Sequence, residues 1–145
     1  MKFKIFPFLA ILSLALICGC GTKNPGTVAV SVKVTQKGSP LDDAIVSIIS
    51  SDDKGYTASG LTDAGGVAKL HTTDGWDGAF PGNYYVGISK SEKIVFPAPT
   101  PETPDATRTE QKELLPSKYK QHQNSGFTLT VGSKKGEVHT FDIPE

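Results

Sequence analysis

Short stretches in which every second residue is apolar constrain this chain more than any other feature of its sequence. In TVAVSVKVT, the apolar side chains fall at Val28, Val30, Val32 and Val34, which is the period of a β-strand with one buried face. The alternation recurs in DAIVSIIS, VAKLHT, NYYVGISK, GFTLTVG and VHTFDIP, with turn residues between them. The pattern predicts an all-β fold over residues 27 to 145, an antiparallel sandwich of about seven strands.

The first 20 residues, MKFKIFPFLAILSLALICGC, have a different character. A basic head at Lys2 and Lys4 precedes a largely apolar run, which is the layout of a secretory signal peptide. A membrane-spanning helix needs about 20 apolar residues and is commonly followed by basic residues. This run is shorter and no basic cluster follows it, so we expect export and not permanent membrane spanning.

The end of that run, Ile17-Cys18-Gly19-Cys20, resembles a bacterial lipobox. The resemblance implies that residues 1 to 19 are cleaved after Gly19 and that Cys20 is acylated, a covalent lipid being the only attached group. Residues 20 to 26 are then a flexible tether. The implied location is exported and lipid-anchored, at the cell membrane or the outer membrane and in the periplasm or on the cell surface. An ordinary signal peptide with incidental cysteines is the alternative.

Cysteine and charge counts exclude several classes of protein. The chain has two cysteines, so cleavage before Cys20 leaves a single cysteine and neither an intrachain disulfide nor a cysteine-based zinc site. Of 15 basic and 15 acidic residues, cleavage removes Lys2 and Lys4, which leaves 13 against 15 and a formal charge of −2. A nucleic-acid surface needs clustered basic residues, and we expect no nucleic-acid partner.

Several turns and strands together resemble the carboxypeptidase regulatory-like, or transthyretin-like, domain. The resemblance rests on four segments: Val32-Lys33-Val34-Thr35, Gly38-Ser39-Pro40-Leu41 with Ala44-Ile45-Val46, Thr62-Asp63-Ala64-Gly65-Gly66, and Pro81-Gly82-Asn83-Tyr84-Tyr85-Val86. With the lipobox, the chain is similar to small planctomycete-type lipoproteins that carry this domain. The resemblance implies an immunoglobulin-like sandwich. Each matching residue has a structural role in a turn or a strand, so the resemblance assigns no activity.

Catalytic and metal-binding patterns are weak. The histidines His71, His122 and His139 lack metal-ligand spacing, and no Gly-x-Ser-x-Gly motif is present. His71 and His139 are predicted on solvated strand faces. The paired aspartates at 42–43 and 52–53 are interpreted as turn residues, since they lack the alternating ligands of a calcium loop. We therefore expect no catalytic residues and no bound metal.

Two features remain as candidate binding elements. Residues 91 to 120 are predicted to form a long loop that carries Pro97, Pro99, Pro101 and Pro104, either a mobile insertion or an arm for an envelope protein partner. Within it, residues 107 to 115 are the one helix candidate. Trp76, in a glycine-rich and acidic loop, and Tyr85, facing away from the core, are possible glycan contacts. The sequence thus favours a non-catalytic, membrane-anchored interaction module, with a carbohydrate-binding module as the alternative.

Overall fold

A computed structural model of the protein describes residues 24 to 96 and 108 to 144. The predicted signal peptide, with Gly19, and also Cys20 and the four prolines of the 97–104 segment lie outside the described residues. Within the described part are eleven strands and one 3₁₀-helix at Ser117–Lys120. The strands are β1 (Val30–Gln36), β2 (Ser39–Pro40), β3 (Ile45–Ser50), β4 (Thr57–Leu61), β5 (Val67–Lys69), β6 (His71–Thr72), β7 (Gly82–Ser89), β8 (Ser91–Phe96), β9 (Arg108–Glu113), β10 (Phe127–Val131) and β11 (Glu137–Ile143).

The strands form two sheets and a ribbon. In the first sheet β1 pairs with β11, β2 and β5, and the second sheet has the order β10-β7-β3-β4-β6. Strands β8 and β9 pair only with each other among the described strands and form what we call the ribbon. The all-β prediction is confirmed. Setting aside the two-residue strands β2 and β6 and the two ribbon strands, seven of the eleven strands remain in the two sheets.

The core lies between the two sheets and is built from the alternating residues that the sequence singled out. Because successive side chains of a strand point to opposite faces, one side chain in two enters the core. The largest fully buried side chains are Tyr84, Ile48, Leu70, Ile88, Ile143, Val32, Val34, Val46 and Val86. Phe127 and Phe141 pack against this cluster, with ring centroids 5.1 Å apart.

One pairing departs from an antiparallel sandwich. Strand β1 runs parallel to β11 over seven residues, from Val30 opposite Glu137 to Gln36 opposite Ile143. Parallel neighbours cannot be joined by a tight turn, and here almost the whole domain lies between them in the sequence. The pairing therefore places the first and last strands of the domain side by side.

The segment from 91 to 120, predicted as a long loop, is partly regular. Residues 91 to 96 and 108 to 113 form the ribbon, with Ser91 opposite Glu113 and Phe96 opposite Arg108. The helix predicted over 107 to 115 is therefore wrong for the residues of β9. Good helix formers did not decide the outcome, because a stretch without an apolar helical face gains nothing from packing as a helix, whereas β8 supplies a pairing edge.

The sandwich has two distinct ends. At the proximal end, the entering chain pairs with the segment before β7: Val28 and Ala79 exchange backbone hydrogen bonds of 2.8 and 3.0 Å. The distal end contains the β1–β2 turn at Lys37 and Gly38, where β1 finishes. Strand β7 is antiparallel to β3 and ends beside Ile45, so it leaves at the distal end and continues into β8.

The last part of the predicted tether is a turn. The Asn24 side-chain oxygen accepts hydrogen bonds of 2.8 Å from the backbone N–H groups of both Gly26 and Thr27. This is the capping geometry that asparagine favours in turns. The described part of the predicted tether, residues 24 to 26, is therefore folded into a turn.

Gly78 allows the backbone at Val28 to lie close to the segment before β7 at the proximal end. A Cβ at Gly78 would lie 1.9 Å from the Val28 carbonyl oxygen, whereas a Cβ at Gly75 would meet nothing within 4 Å. Both glycines have φ near +80°, so alanine carries the same backbone strain at each. We expect Gly78→Ala to lower the free energy of unfolding by about 1–3 kcal/mol more than Gly75→Ala, from the added clash. Urea unfolding of the two variants tests this, and equal losses would contradict it.

Burial of Tyr84 makes the fold sensitive to alkali. The buried hydroxyl donates a 2.7 Å hydrogen bond to the Phe80 carbonyl oxygen, and burial, with Asp52 nearby, raises the pKa of Tyr84 to about 12. Because the folded protein favours the protonated phenol, Tyr84 contributes about 2–3 kcal/mol to the free energy of unfolding below pH about 10. This contribution is lost as the pH rises through 12. Unfolding midpoints between pH 9 and 12 should show this slope. Tyr84→Phe should flatten it and Tyr85→Phe should not; equal slopes in all three proteins would refute the assignment.

Candidate functional site

The outward face of the second sheet is the most unusual surface of the described residues. We call it the open face. Its positions on the five strands carry no carboxylate, ammonium or guanidinium group, and His71 is the only titratable side chain besides Tyr85. The members are Thr128 and Thr130 on β10, Asn83, Tyr85, Gly87 and Ser89 on β7, Ile45, Ser47 and Ile49 on β3, Thr57, Ser59 and Leu61 on β4, and His71 on β6.

The strand register places the open-face residues in rows. One row runs from Thr128 through Tyr85 and Ile49 to Thr57. Tyr85 is half-buried and Ile49 is 38% exposed. These two adjacent side chains form a small apolar strip that has hydroxyl groups at both ends.

The chain after the 3₁₀-helix folds back over this face. His122 Nε2 lies 2.9 Å from the Ser47 hydroxyl. Beneath it, a Cβ at Gly87 would lie 3.1 Å from the His122 ring and 2.9 Å from the Lys120 carbonyl oxygen. The absence of a side chain at Gly87 therefore lets the segment lie close to the sheet. The Ser125 hydroxyl donates to the Val86 carbonyl oxygen and fixes the end of the segment.

A groove of about 320 Å³ lies between this segment and the sheet. We call it the amide groove. Ile49 lines one side, and residues 121 to 124, with the sequence Gln-His-Gln-Asn, line the other. The Asn124 amide donates a 2.7 Å hydrogen bond to the Gln121 side-chain oxygen, which orients both groups. All four wall side chains are polar and none carries a fixed charge.

Trp76 and Tyr85, the predicted glycan contacts, do not form one platform. Trp76 lies in the turn after β6, where its backbone N–H donates a 3.0 Å hydrogen bond to the Thr72 hydroxyl. Tyr85 lies on β7, and β3 and β4 separate β7 from β6. At about 4.8 Å per strand, the two strands are roughly 14 Å apart. The sequence correctly placed Tyr84 inside and Tyr85 outside, but it gave no sign of the groove beside Tyr85.

The histidines are not clustered. His71 is exposed, as predicted, and its Nδ1 lies 3.0 Å from an Asp77 carboxylate oxygen. The prediction for His139 was wrong: it shares the inward face of β11 with Phe141 and Ile143, because all three are odd-numbered positions of one strand. Its Nε2 is buried without a hydrogen bond and lies 3.6 Å from Glu137.

Metal-binding groups do not converge within the described ranges. Residues 24 to 96 and 108 to 144 contain no group of three or more histidine, cysteine or acidic side chains that could hold a metal ion. Asp42, one of the predicted turn aspartates, instead accepts a 2.7 Å hydrogen bond from Lys90 at the base of the ribbon. The hydrogen bond and charge of Lys90 lower the pKa of that carboxyl group.

The ribbon carries two exposed apolar side chains near its described tip. Val95 is 54% exposed and Phe96 is 41% exposed. A two-stranded hairpin is at best marginally stable in water. The ribbon is attached to the sandwich at its base, where the Leu114 N–H donates a 2.8 Å hydrogen bond to the Lys90 carbonyl oxygen.

Comparison with known proteins adds no identity. No protein-family model, curated protein or solved structure matches this chain. In the part of the chain that the structure describes, no helix is long and apolar enough to cross a membrane.

Proposed function

We propose that this protein is a non-catalytic lipoprotein of the cell envelope that holds a protein-binding ribbon away from a membrane. Acyl chains on Cys20 anchor it, the carboxypeptidase regulatory-like sandwich acts as a rigid spacer, and the ribbon contacts an envelope protein. The observation that carries the proposal is that the tether and the ribbon are attached to opposite ends of the sandwich. The tether enters at the proximal end, and the ribbon leaves at the distal end.

The lengths of the strands suit this role. At about 3.3 Å per residue, the seven residues of β1 span roughly 23 Å and the six residues of β8 roughly 20 Å. A ribbon that continued the direction of β7 would place its described tip on the order of 40 Å from the proximal end. The tether from Cys20 to Asn24 is short, at most about 14 Å when extended. An anchored domain would thus project the ribbon well clear of the bilayer surface.

The composition of the ribbon supports binding to a protein. Val95 and Phe96 are consecutive residues of β8 and lie on opposite faces of the ribbon, so each face has one exposed apolar side chain near the described tip. Charged side chains such as Glu92 and Lys112 lie opposite each other toward the base. Apolar contacts beside charged groups are a combination that protein interfaces use. A partner that covers the tip would also stabilise a hairpin that is marginal alone.

The anchor is tested by paired cysteine substitutions. Cys20→Ala should release the protein from membranes, because no acyl chain can be attached and each buried methylene contributes about 0.8 kcal/mol to anchoring. Cys18→Ala is the matched control and should stay membrane-bound, since Cys18 is removed with the signal peptide. Fractionation after a high-salt wash measures both. Retention of Cys20→Ala in the membrane fraction would refute the anchor.

The ribbon is tested by charge substitution at its tip. The double variant Val95→Asp with Phe96→Asp should lose cross-linking to its envelope partner in intact cells, because two carboxylates cannot enter an apolar interface without a large desolvation cost. Val138→Asp is the control, since Val138 is 59% exposed on β11. Cross-linked products are identified by mass spectrometry. A protein captured equally by all three forms would show that the ribbon is not the contact.

A further inference from the structure

We propose that the amide groove, together with the Tyr85–Ile49 strip beside it, binds an uncharged polysaccharide. This site lies on the side of the sandwich and not on the ribbon. It requires neither the lipid anchor nor the ribbon partner, so it can fail or succeed independently of the function proposed above.

The lack of charge on the open face favours a neutral ligand. The chain has 15 basic and 15 acidic residues among its 145, yet none of them lies on the five strands of the open face. The Asp77 carboxylate contacts this face at its β6 edge, beside His71. The outward face of the first sheet, in contrast, carries Lys33, Lys69 and Asp142. An anionic polymer would need cationic partners in this groove, and the described groove residues provide none with a fixed charge. The surface is suited to a ligand that is itself neutral.

The side chains along the groove can form the hydrogen bonds that a sugar needs. A sugar hydroxyl both donates and accepts, and so do primary amides and hydroxyl side chains. Gln121, Gln123 and Asn124 are all exposed along one wall of the groove. Thr57 and Thr128 place two more hydroxyl groups at the ends of the row that contains Ile49. The amide hydrogen bond between Asn124 and Gln121 holds two of these groups in place before a ligand arrives, which reduces the entropy lost on binding.

The floor of the proposed site is apolar. Ile49 and Tyr85 are cross-strand neighbours, and the phenol ring of Tyr85 offers a half-buried apolar surface with a polar tip. The C–H faces of a sugar ring pack on such a surface while its hydroxyls reach the amide wall. Ligand sites combine apolar lining with a few oriented polar groups in this manner.

A protein partner fits this face less well. The centres of protein interfaces are enriched in aromatic residues and depleted in serine. Among its described members, the open face has one aromatic residue, Tyr85, and three serines, Ser47, Ser59 and Ser89. Its three exposed aliphatic residues, Ile45, Ile49 and Leu61, are the groups through which a protein would bind. Pairing with a second copy of this chain is the competing outcome that the experiment must separate.

The test uses the full chain in detergent micelles. Affinity electrophoresis and co-sedimentation compare neutral polysaccharides, cellulose, chitin and β-1,3-glucan, with anionic polygalacturonate. We expect retention by at least one neutral polymer and none by polygalacturonate. Gln123→Ala should weaken binding about fivefold to tenfold, the effect of one lost hydrogen bond, and Tyr85→Ala should weaken it more than tenfold. Gln111→Ala, on the ribbon, and Val138→Ala, on the other sheet, are matched controls that should bind normally.

Three results would overturn the proposal. In the first, none of the neutral polymers retains the protein. In the second, a polymer retains it but the Gln123 and Tyr85 substitutions leave the retention unchanged. In the third, the protein is a dimer in solution that Ile49→Asp dissociates. Thermal unfolding of every variant accompanies the binding measurement. If Tyr85→Ala unfolds, the surface substitution Gln123→Ala still decides the question.

Discussion

The parallel pairing of β1 with β11 is the interaction on which the rest of the structure depends. Strand β1 is also the partner of β2 and β5, so the first sheet is assembled around it. Its valines fill one side of the core, and the β11 pairing fixes their register against the last strand. Because the pairing joins residues more than a hundred positions apart, its loop-closure cost is met only when most of the domain has formed. The direction of β1 also determines at which end of the sandwich the tether enters.

Two close approaches that only glycine allows give the molecule its functional geometry. At Gly78, the lack of a side chain lets Val28 pair with Ala79, which fixes the start of the described domain at the proximal end. At Gly87, it lets His122 lie over the sheet beside Ser47. The amide groove exists because this second approach brings residues 121 to 124 against Ile49. Both functional proposals therefore rest on backbone contacts made far from the residues that would touch a partner.

The alternation of apolar residues predicted the sandwich well, and the features that it missed have physical causes. Alternation identified the strands that have one buried face, such as the strand with Val46 and Ile48. It failed for the ribbon, where no face is buried and pairing alone produces strands. The odd-numbered position of His139 indicated the inward face, but a polar residue next to two apolar ones concealed the pattern. The groove had no local signal at all, because its wall is a turn segment whose position depends on Gly87, 34 residues earlier in the chain.

The directions of the two proposed surfaces determine how they would work together. The strands of the second sheet run between the proximal and distal ends, so the open face lies along the side of the sandwich, whereas the ribbon starts at the distal end, after the last residue of β7. A protein that covers Val95 and Phe96 therefore leaves the Tyr85–Ile49 strip free. On a membrane, a polysaccharide in the amide groove would lie beside the domain, closer to the bilayer than the ribbon partner. Since β7 continues directly into β8, the strand that carries Tyr85 also leads into the ribbon. Strand β9 leads through the 3₁₀-helix to residues 121 to 124, which form the groove wall, so both strands of the ribbon connect the two proposed surfaces.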